Sequence, residues 1–322
     1  MRRWLTAISA LLILCLGSPV MAADLPKLRL AALKFGTVMW ELETIRQHGF
    51  DRQNGFQLDI MPVAGKQAAA IMLQAGEADA IVSDWLWAAR QWPAGRRFLA
   101  VPYSKAVGGV IVPKGSVKSL GELDGKRIGI AGGALDKNWL ILRAVARQAH
   151  GFDLARRAEA AFASPPIIYR KMLAGEFDAA INFWHFQARA RAAGLVDLVT
   201  VEELARRAGL SPDVPLLAYV FSQAFAGASP ELVTGFARAS RAAKELLRTD
   251  EQAWRRLRPM MKAKSDTAFQ ELRAGYLAGV PDQAEWPELP KMQAWVDFMR
   301  DNGGRRLIGP LKAVPASLFY RP

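Results

Sequence analysis

One stretch of this chain occurs twice. Residues 72–90 read MLQAGEADAIVSDWLWAAR and residues 172–189 read MLAGEFDAAINFWHFQAR. With one residue dropped before the glycine, Gly76, Glu77, Asp79, Ala80, Trp85 and Arg90 align with Gly175, Glu176, Asp178, Ala179, Trp184 and Arg189, each pair 99 positions apart. The offset recurs upstream, where Lys27 and Trp40 stand 99 positions before Lys126 and Trp139. A constant offset over such a span is what duplication of one structural unit leaves behind. Two like units that face each other enclose a cleft, and a cleft is a place to hold a small molecule.

Arg2 and Arg3 precede an apolar run from Trp4 to Val20, and Val20-Met21-Ala22 carries small residues where a signal peptidase reads. The pattern predicts a secretory leader over residues 1–22, too short and too promptly followed by polar sequence to serve as a membrane span. A lipoprotein leader is the rival because Cys15 lies in the run, but Leu14 is bulky where a lipobox needs a small residue. Cleavage leaves 300 residues, enough for two lobes with real cores, and removes the chain's single cysteine. The exported protein then has no disulfide and no thiolate metal site. His48, His150 and His185 are too scattered for a zinc cluster, so neither metal nor cofactor is expected. Net charge is +13, or +11 without the leader arginines. The remaining arginines, Arg238, Arg241, Arg248, Arg255, Arg256 and Arg258 among them, are spread along helical stretches without interleaved aromatics, which favours a solvated basic face over nucleic acid.

Buried strands are predicted at Leu28–Leu33, Gln57–Val63 and Ala80–Val82, with helices over Val38–His48 and from Gly65-Lys66 through Gln74. That β-α-β-α-β succession favours a parallel sheet covered on both sides. VGGVIVP from Val107 to Pro113 reads as a first crossing between lobes, its paired glycines able to absorb hinge motion. Ser119-Leu120-Gly121-Glu122 fits a capping box. Lys126–Ala131 starts the second unit, followed by a helix to His150, a helix from Ser164-Pro165-Pro166, and strands at Asp178–Ile181 and Leu195–Val201. Pro215–Phe221 reads as the return crossing. From Ser229 onward the chain is helical, with caps expected at Ser229, Asp250 and Ser265, and the tail is expected to pack on the first lobe. The predicted organisation is a first lobe of residues 23–108 and 215–322 and a second of 109–214.

In open α/β sheets ligands sit beyond the carboxyl ends of the strands. That rule selects Lys34–Glu41, Gly65–Gln67, Ser83–Trp87, Gly132–Trp139 and Asn182–His185, and the candidate ligand-binding residues are Trp40, Glu41, Ser83, Asp84, Trp85, Gly132, Gly133, Asp136, Asn182 and Trp184. Aromatic walls with a few polar groups suit a small flat or cationic ligand. Each tryptophan could equally fill the core, and each acid could be a helix cap. The acids decide the ligand's charge: if Glu41, Asp84 and Asp136 face it, a neutral or amine-bearing molecule is favoured, and if they are caps the preference reverses toward an anion at the helix starts. Catalytic motifs are absent: there is no Gly-x-Ser-x-Gly, HExxH or P-loop, and Gly129, Gly132 and Gly133 do not form a dinucleotide fingerprint.

LQAGEADA followed by Ser83-Asp84, GGVIVPKGSVKSLGELDGKRIGI, GGALDKNW and AGEFDAAINFWHFQAR resemble the periplasmic substrate-binding proteins of ABC importers. The similarity is to the nitrate, sulfonate and taurine group, which also holds binders of the thiamine pyrimidine precursor. It runs from about Lys27 to about Leu247 and fades in the final helices. The resemblance implies a type II fold of two α/β lobes, with parallel-rich sheets flanked by helices and a helical C-terminal tail. It also implies a non-enzymatic, monomeric periplasmic protein that clamps a small organic solute and presents it to membrane permease subunits. That solute is sulfonate, taurine-like, or an aromatic amine or pyrimidine; members bind unlike solutes on one scaffold, so the fold does not choose. An exported enzyme, such as a pyrimidine-precursor enzyme, or a sensor subunit on the same scaffold is the alternative.

Overall fold

The computed structural model describes residues 24–281 and 287–321; the predicted leader lies outside the described residues. The chain runs β1 (Lys27–Leu33), α1 (Val38–Gln47), α2 (Phe50–Gln53), β2 (Gln57–Val63), α3 (Lys66–Ala75), β3 (Ala80–Asp84), α4 (Trp85–Gln91) and β4 (Phe98–Ser104). It continues through β5 (Gly109–Val112), β6 (Arg127–Ala131), α5 (Lys137–His150), α6 (Leu154–Arg157), β7 (Glu159–Ala163), α7 (Pro165–Leu173), β8 (Ala179–Asn182), α8 (Trp184–Ala192), β9 (Val196–Thr200) and α9 (Val201–Arg207). Last come β10 (Leu217–Ser222), α10 (Gln223–Ala228), α11 (Pro230–Thr249), α12 (Glu251–Met261), α13 (Asp266–Ala278) and α14 (Leu289–Ile308).

The strands form two five-stranded sheets, β2-β1-β3-β10-β4 and β7-β6-β8-β5-β9. The orders correspond position for position. In each sheet three neighbouring strands are parallel, and the fourth, β10 or β5, runs antiparallel to both its neighbours. Each antiparallel strand begins just after the chain has passed from one sheet to the other, so the two sheets exchange one strand's worth of connectivity. This is the two-lobe type II architecture, with mixed sheets flanked by helices.

The copied sequence has a local cause. Gly76 and Gly175 end helices α3 and α7 with φ of 73° and 74°, a conformation that favours glycine. Three residues later Asp79 and Asp178 reach back to the strand beside them. Asp79 accepts from the Arg29 backbone N–H at 2.8 Å and from its guanidinium at 2.6 Å, while the same guanidinium donates to the Gly76 carbonyl. Arg127 repeats every one of these bonds with Asp178 and Gly175. Both clamps sit at the amino ends of the strands, away from the cleft, so most of the repeat serves the frame.

At the first crossing Gly108 has φ of 102°, and a side chain there would run into the Asn182 carbonyl. A Cβ on Gly109 would come within 2.5 Å of the Val199 carbonyl. The paired glycines therefore let β5 enter between β8 and β9. The predicted capping box is a single 3-10 turn, Gly121–Leu123, with Glu122 accepting from Lys118 N and Ser119 Oγ. Asp250 and Ser265 cap their helices through side-chain bonds as predicted; Ser229 holds the N-cap position of α11 but makes no side-chain capping bond.

The tail reaches further than the first lobe. Helix α11 packs on α1 and α2, but α13 lies on α8 and α14 on α5 and α4. The reason is a cluster in which Trp254, Leu257, Met261, Phe269, Leu272 and Tyr276 of the tail cover Trp40 of α1 and Ala188 of α8 together.

Candidate functional site

Three contacts bring the carboxyl ends of the two sheets together. Asp84, closing β3, lies 3.3 Å from Nζ of Lys137, the first residue of α5. Lys66, the first residue of α3, places its ammonium 5.6 Å over the Phe183 ring that follows β8. Trp40 meets Trp184 edge to face at 5.8 Å.

Beside these contacts the loop after β1, helices α7 and α8, and the α12–α13 turn enclose a cavity of about 730 Å³. Its charged lining is Lys34, Arg189, Lys262 and Lys264, and no carboxylate lines it. Trp40, Tyr169, His185, Phe186 and the exposed Phe35 supply aromatic wall. Lys262 stands 4.5 Å over Phe35 and Arg189 lies 5.7 Å over Phe186. The Arg189 guanidinium donates to the carbonyls of His185 and Met261, and among the described residues it makes no ion pair. A part-buried guanidinium held only by carbonyls keeps its charge uncompensated, and burial pulls its pKa down accordingly. Burial, reinforced by Arg189, also drives His185 down to about 3, so the ring is neutral at ordinary pH.

The predicted acids have other work. Glu41 is 0% exposed. Its Oε1 accepts from Tyr219 at 2.8 Å, Ser240 at 2.6 Å and Lys244 at 2.6 Å, and its Oε2 accepts from Tyr276 at 2.7 Å. A carboxylate so enclosed binds α1 to β10, α11 and α13 and does not line the cavity. Its charge, added to burial, raises the hydroxyls of Tyr219 and Tyr276 well above the ordinary tyrosine value. Lys244 is lowered by burial, which Glu41 opposes. Asp84 caps α4 by accepting from Trp87 N at 2.9 Å. Burial would raise its pKa, but Lys137, the Trp87 N–H and Lys66 outweigh it and hold it below the usual carboxylate range. Asp136 caps α5 through the N–H groups of Asn138 and Trp139, and burial raises it.

The other candidates divide. Trp85 is 0% exposed, inside the core, with its indole N–H unpartnered; it lines neither lobe's surface. Asn182 is buried, donating to the Pro165 carbonyl and accepting from Phe183 N, so it ties the β8 turn to α7. Ser83 is half-buried in β3, and Gly132 and Gly133 are exposed in the loop leading to Asp136. Trp40 and Trp184 stand together at the boundary of the lobes. Lys34 and His185 fell within the segments chosen by topology and Arg189 within the repeat, but Lys262 and Lys264 come from the tail, where no repeat or strand end marks them.

Residues 44–253 match the family described as NMT1/THI5 like. No curated protein matches the chain. Among solved structures, the periplasmic aliphatic sulphonate binding protein SsuA from Escherichia coli superposes with a TM-score of 0.70 at 18% identity, over 92% of each chain. The alkanesulfonate-binding protein SsuA from Xanthomonas axonopodis pv. citri, bound to MOPS, gives 0.69 at 19% identity, over 94% of this chain and all of that one. The periplasmic nitrate-binding protein NrtA from Synechocystis PCC 6803 gives 0.60 at 10% identity, over 89% and 83%. These neighbours are binding proteins, and at such identities they speak to the fold. Among the described residues no helix is long and apolar enough to cross a membrane. The matched segment spans most of both sheets and reaches into the tail, and the chain belongs to the NMT1/THI5-like family.

Proposed function

We propose that this protein is the extracytoplasmic solute-binding component of an ABC-type importer and that its solute is a small organic anion. The observation that carries the reading is the inter-lobe cavity, whose four cationic side chains face aromatic walls with no carboxylate among them. Its volume of about 730 Å³ suits a small molecule. Arg189, held only by carbonyls, supplies the geometry for a sulfonate or carboxylate, and Tyr169, Phe186 and Trp40 supply contact for an apolar body. With Glu41 enclosed and Asp84 and Asp136 serving as caps, the amine-bearing alternative loses its partners. Two structural neighbours named for sulfonate binding agree with this class.

In this reading residues 1–22 are a cleaved leader, and the mature monomer works in the periplasm. Lobes of residues 23–108 with 215–322 and 109–214 close on the solute, and the closed form is what permease subunits recognise. Trp40 and Trp184 hold the seam between the lobes, while Ser83, Gly132 and Gly133 border the cleft. Differential contact with the closed form is what drives closure.

Thermal shift across alkanesulfonates, nitrate, aminopyrimidines and polyamines tests it, since a ligand of the native form raises the melting temperature. Sulfonates are expected to raise it in the wild type and to fail in Arg189→Met. A response to amines with none to any anion would overturn the assignment.

A further inference from the structure

Asp84 and Lys137 belong to the two different sheets of the fold. Asp84 ends β3 of the first sheet; Lys137 opens α5 behind β6 of the second. Their 3.3 Å contact joins the carboxyl ends of the two sheets directly. Both side chains are partly sheltered, Lys137 at 25% and Asp84 at 22% exposure, where screening is weaker than on open surface. The two oxygens of Asp84 are divided: Oδ1 accepts from Trp87 N and Oδ2 faces Lys137. The capping bond thus fixes the carboxylate and aims its other oxygen across the cleft. A second lobe-to-lobe contact, Lys66 over Phe183, starts beside it.

We propose that Asp84 and Lys137 form a clasp that draws the lobes together without a solute, the chain closing on its own carboxylate. The anion-binding reading gives this clasp its purpose, because it lies outside the cationic cavity and leaves Lys34, Arg189, Lys262 and Lys264 free. A solute meeting a protein whose closed form is already populated gives up less of its binding free energy to closure, so the clasp regulates apparent affinity through the closed fraction. Asp84 is then a positioning residue that touches no solute.

The test reads lobe separation in solute-free protein, by small-angle X-ray scattering of the whole protein in low-salt buffer. Asp84→Asn keeps an oxygen for the Trp87 N–H while removing the charge, and Lys137→Met keeps the stem of the side chain. Each is expected to lower the closed-to-open ratio about fivefold, the order for a partly exposed ion pair. The double variant is expected to match the single ones, because both remove the same contact. Sodium chloride provides an arm without variants, expanding the wild type while leaving Asp84→Asn unchanged. Unaltered dimensions in both single variants, effects that multiply in the double one, or a wild type indifferent to salt would each overturn the clasp. Alkanesulfonate titration of the same samples separates the two claims. Anion binding without any effect on closure rejects the clasp alone, and a working clasp in a protein that binds no anion rejects the solute reading alone.

Discussion

Trp85 and Trp184 occupy the same place in the two copies of the repeat and do different things. Trp85 opens α4, whose next residues Leu86, Trp87, Ala88 and Ala89 are apolar, and the helix sinks into the core between the first sheet and α14. Trp184 opens α8, where His185, Phe186, Gln187, Ala188 and Arg189 follow. Its ring remains half-buried, edge-on to Trp40, with Gly275 of α13 close against its six-membered ring. The frame of the duplicated unit has been kept at the amino ends of the strands, where Arg29 and Arg127 hold Asp79 and Asp178. Divergence is concentrated at the carboxyl ends: one copy became interior and the other became the wall of an interface.

The sharpest break between the copies is expected in stability. Trp85→Ala should cost about 3–5 kcal/mol in denaturant unfolding, the range for a large ring removed from a core. Trp184→Ala should cost less than about 2 kcal/mol and show its main effect in anion titration. Equal losses at the two positions would erase the distinction.

The aligned arginines extend the comparison. Arg90 donates to the Leu307 carbonyl near the end of α14, and Arg189 donates to the Met261 carbonyl at the end of α12. Both pin a tail helix, but only Arg189 lines the cavity. Arg189→Met is therefore expected to lose about 2–3 kcal/mol of sulfonate affinity by calorimetry, and Arg90→Met to keep it. Comparable affinity losses would mean that tail anchoring, and not the cavity, controls binding.

At the other end of the strands the clamps differ in burial. Asp79 is 8% exposed and 2.6 Å from its arginine, against 33% and 3.2 Å for Asp178. Arg29→Gln should cost about 1–2 kcal/mol in unfolding and Arg127→Gln less than about 1 kcal/mol. A reversed order would show that burial does not set the strength of the clamp.

The last comparison concerns His185, which has no histidine counterpart in the first copy. Its folded pKa of about 3 lies below the free value of 6.5, so below pH 6.5 the unfolded chain takes up a proton that the native ring refuses. Stability is then lost as pH falls from 6.5 toward 3, by up to about 1.4 kcal/mol per unit. His185→Gln should flatten that slope relative to the wild type in acid unfolding curves; parallel curves would show a ring that titrates normally.

The frame was legible in the sequence because its causes are local or periodic. Gln57–Val63 is read at its true limits, and the 99-residue offset anticipates two like units, found as two sheets whose strand orders correspond. Strand β4 escapes because Pro102 argues against a strand; it is tolerated where β4 forms the last strand of its sheet. Strand β7, Glu159–Ala163, is short, alanine-rich and at an edge, and carries no alternation to read. Of the candidate site, strand-end topology points to Lys34, Trp40 and His185 of the cavity lining but not to the roles of the residues there. An aspartate after a strand looks the same whether it caps a helix or meets a ligand, and the partners that enclose Glu41 lie about 180 to 235 positions away. Lys262 and Lys264 reach the cavity only because α12 and α13 cover both lobes, which depends on the tertiary packing of their apolar faces.

The central claim concerns the charge of the guest. Calorimetric titration with two solutes of one carbon skeleton, an alkanesulfonate and the corresponding alkylamine, tests it most directly. Saturable binding of the sulfonate at one site, with no heat from the amine, is the predicted result; saturable binding of the amine with no response to the sulfonate would contradict it.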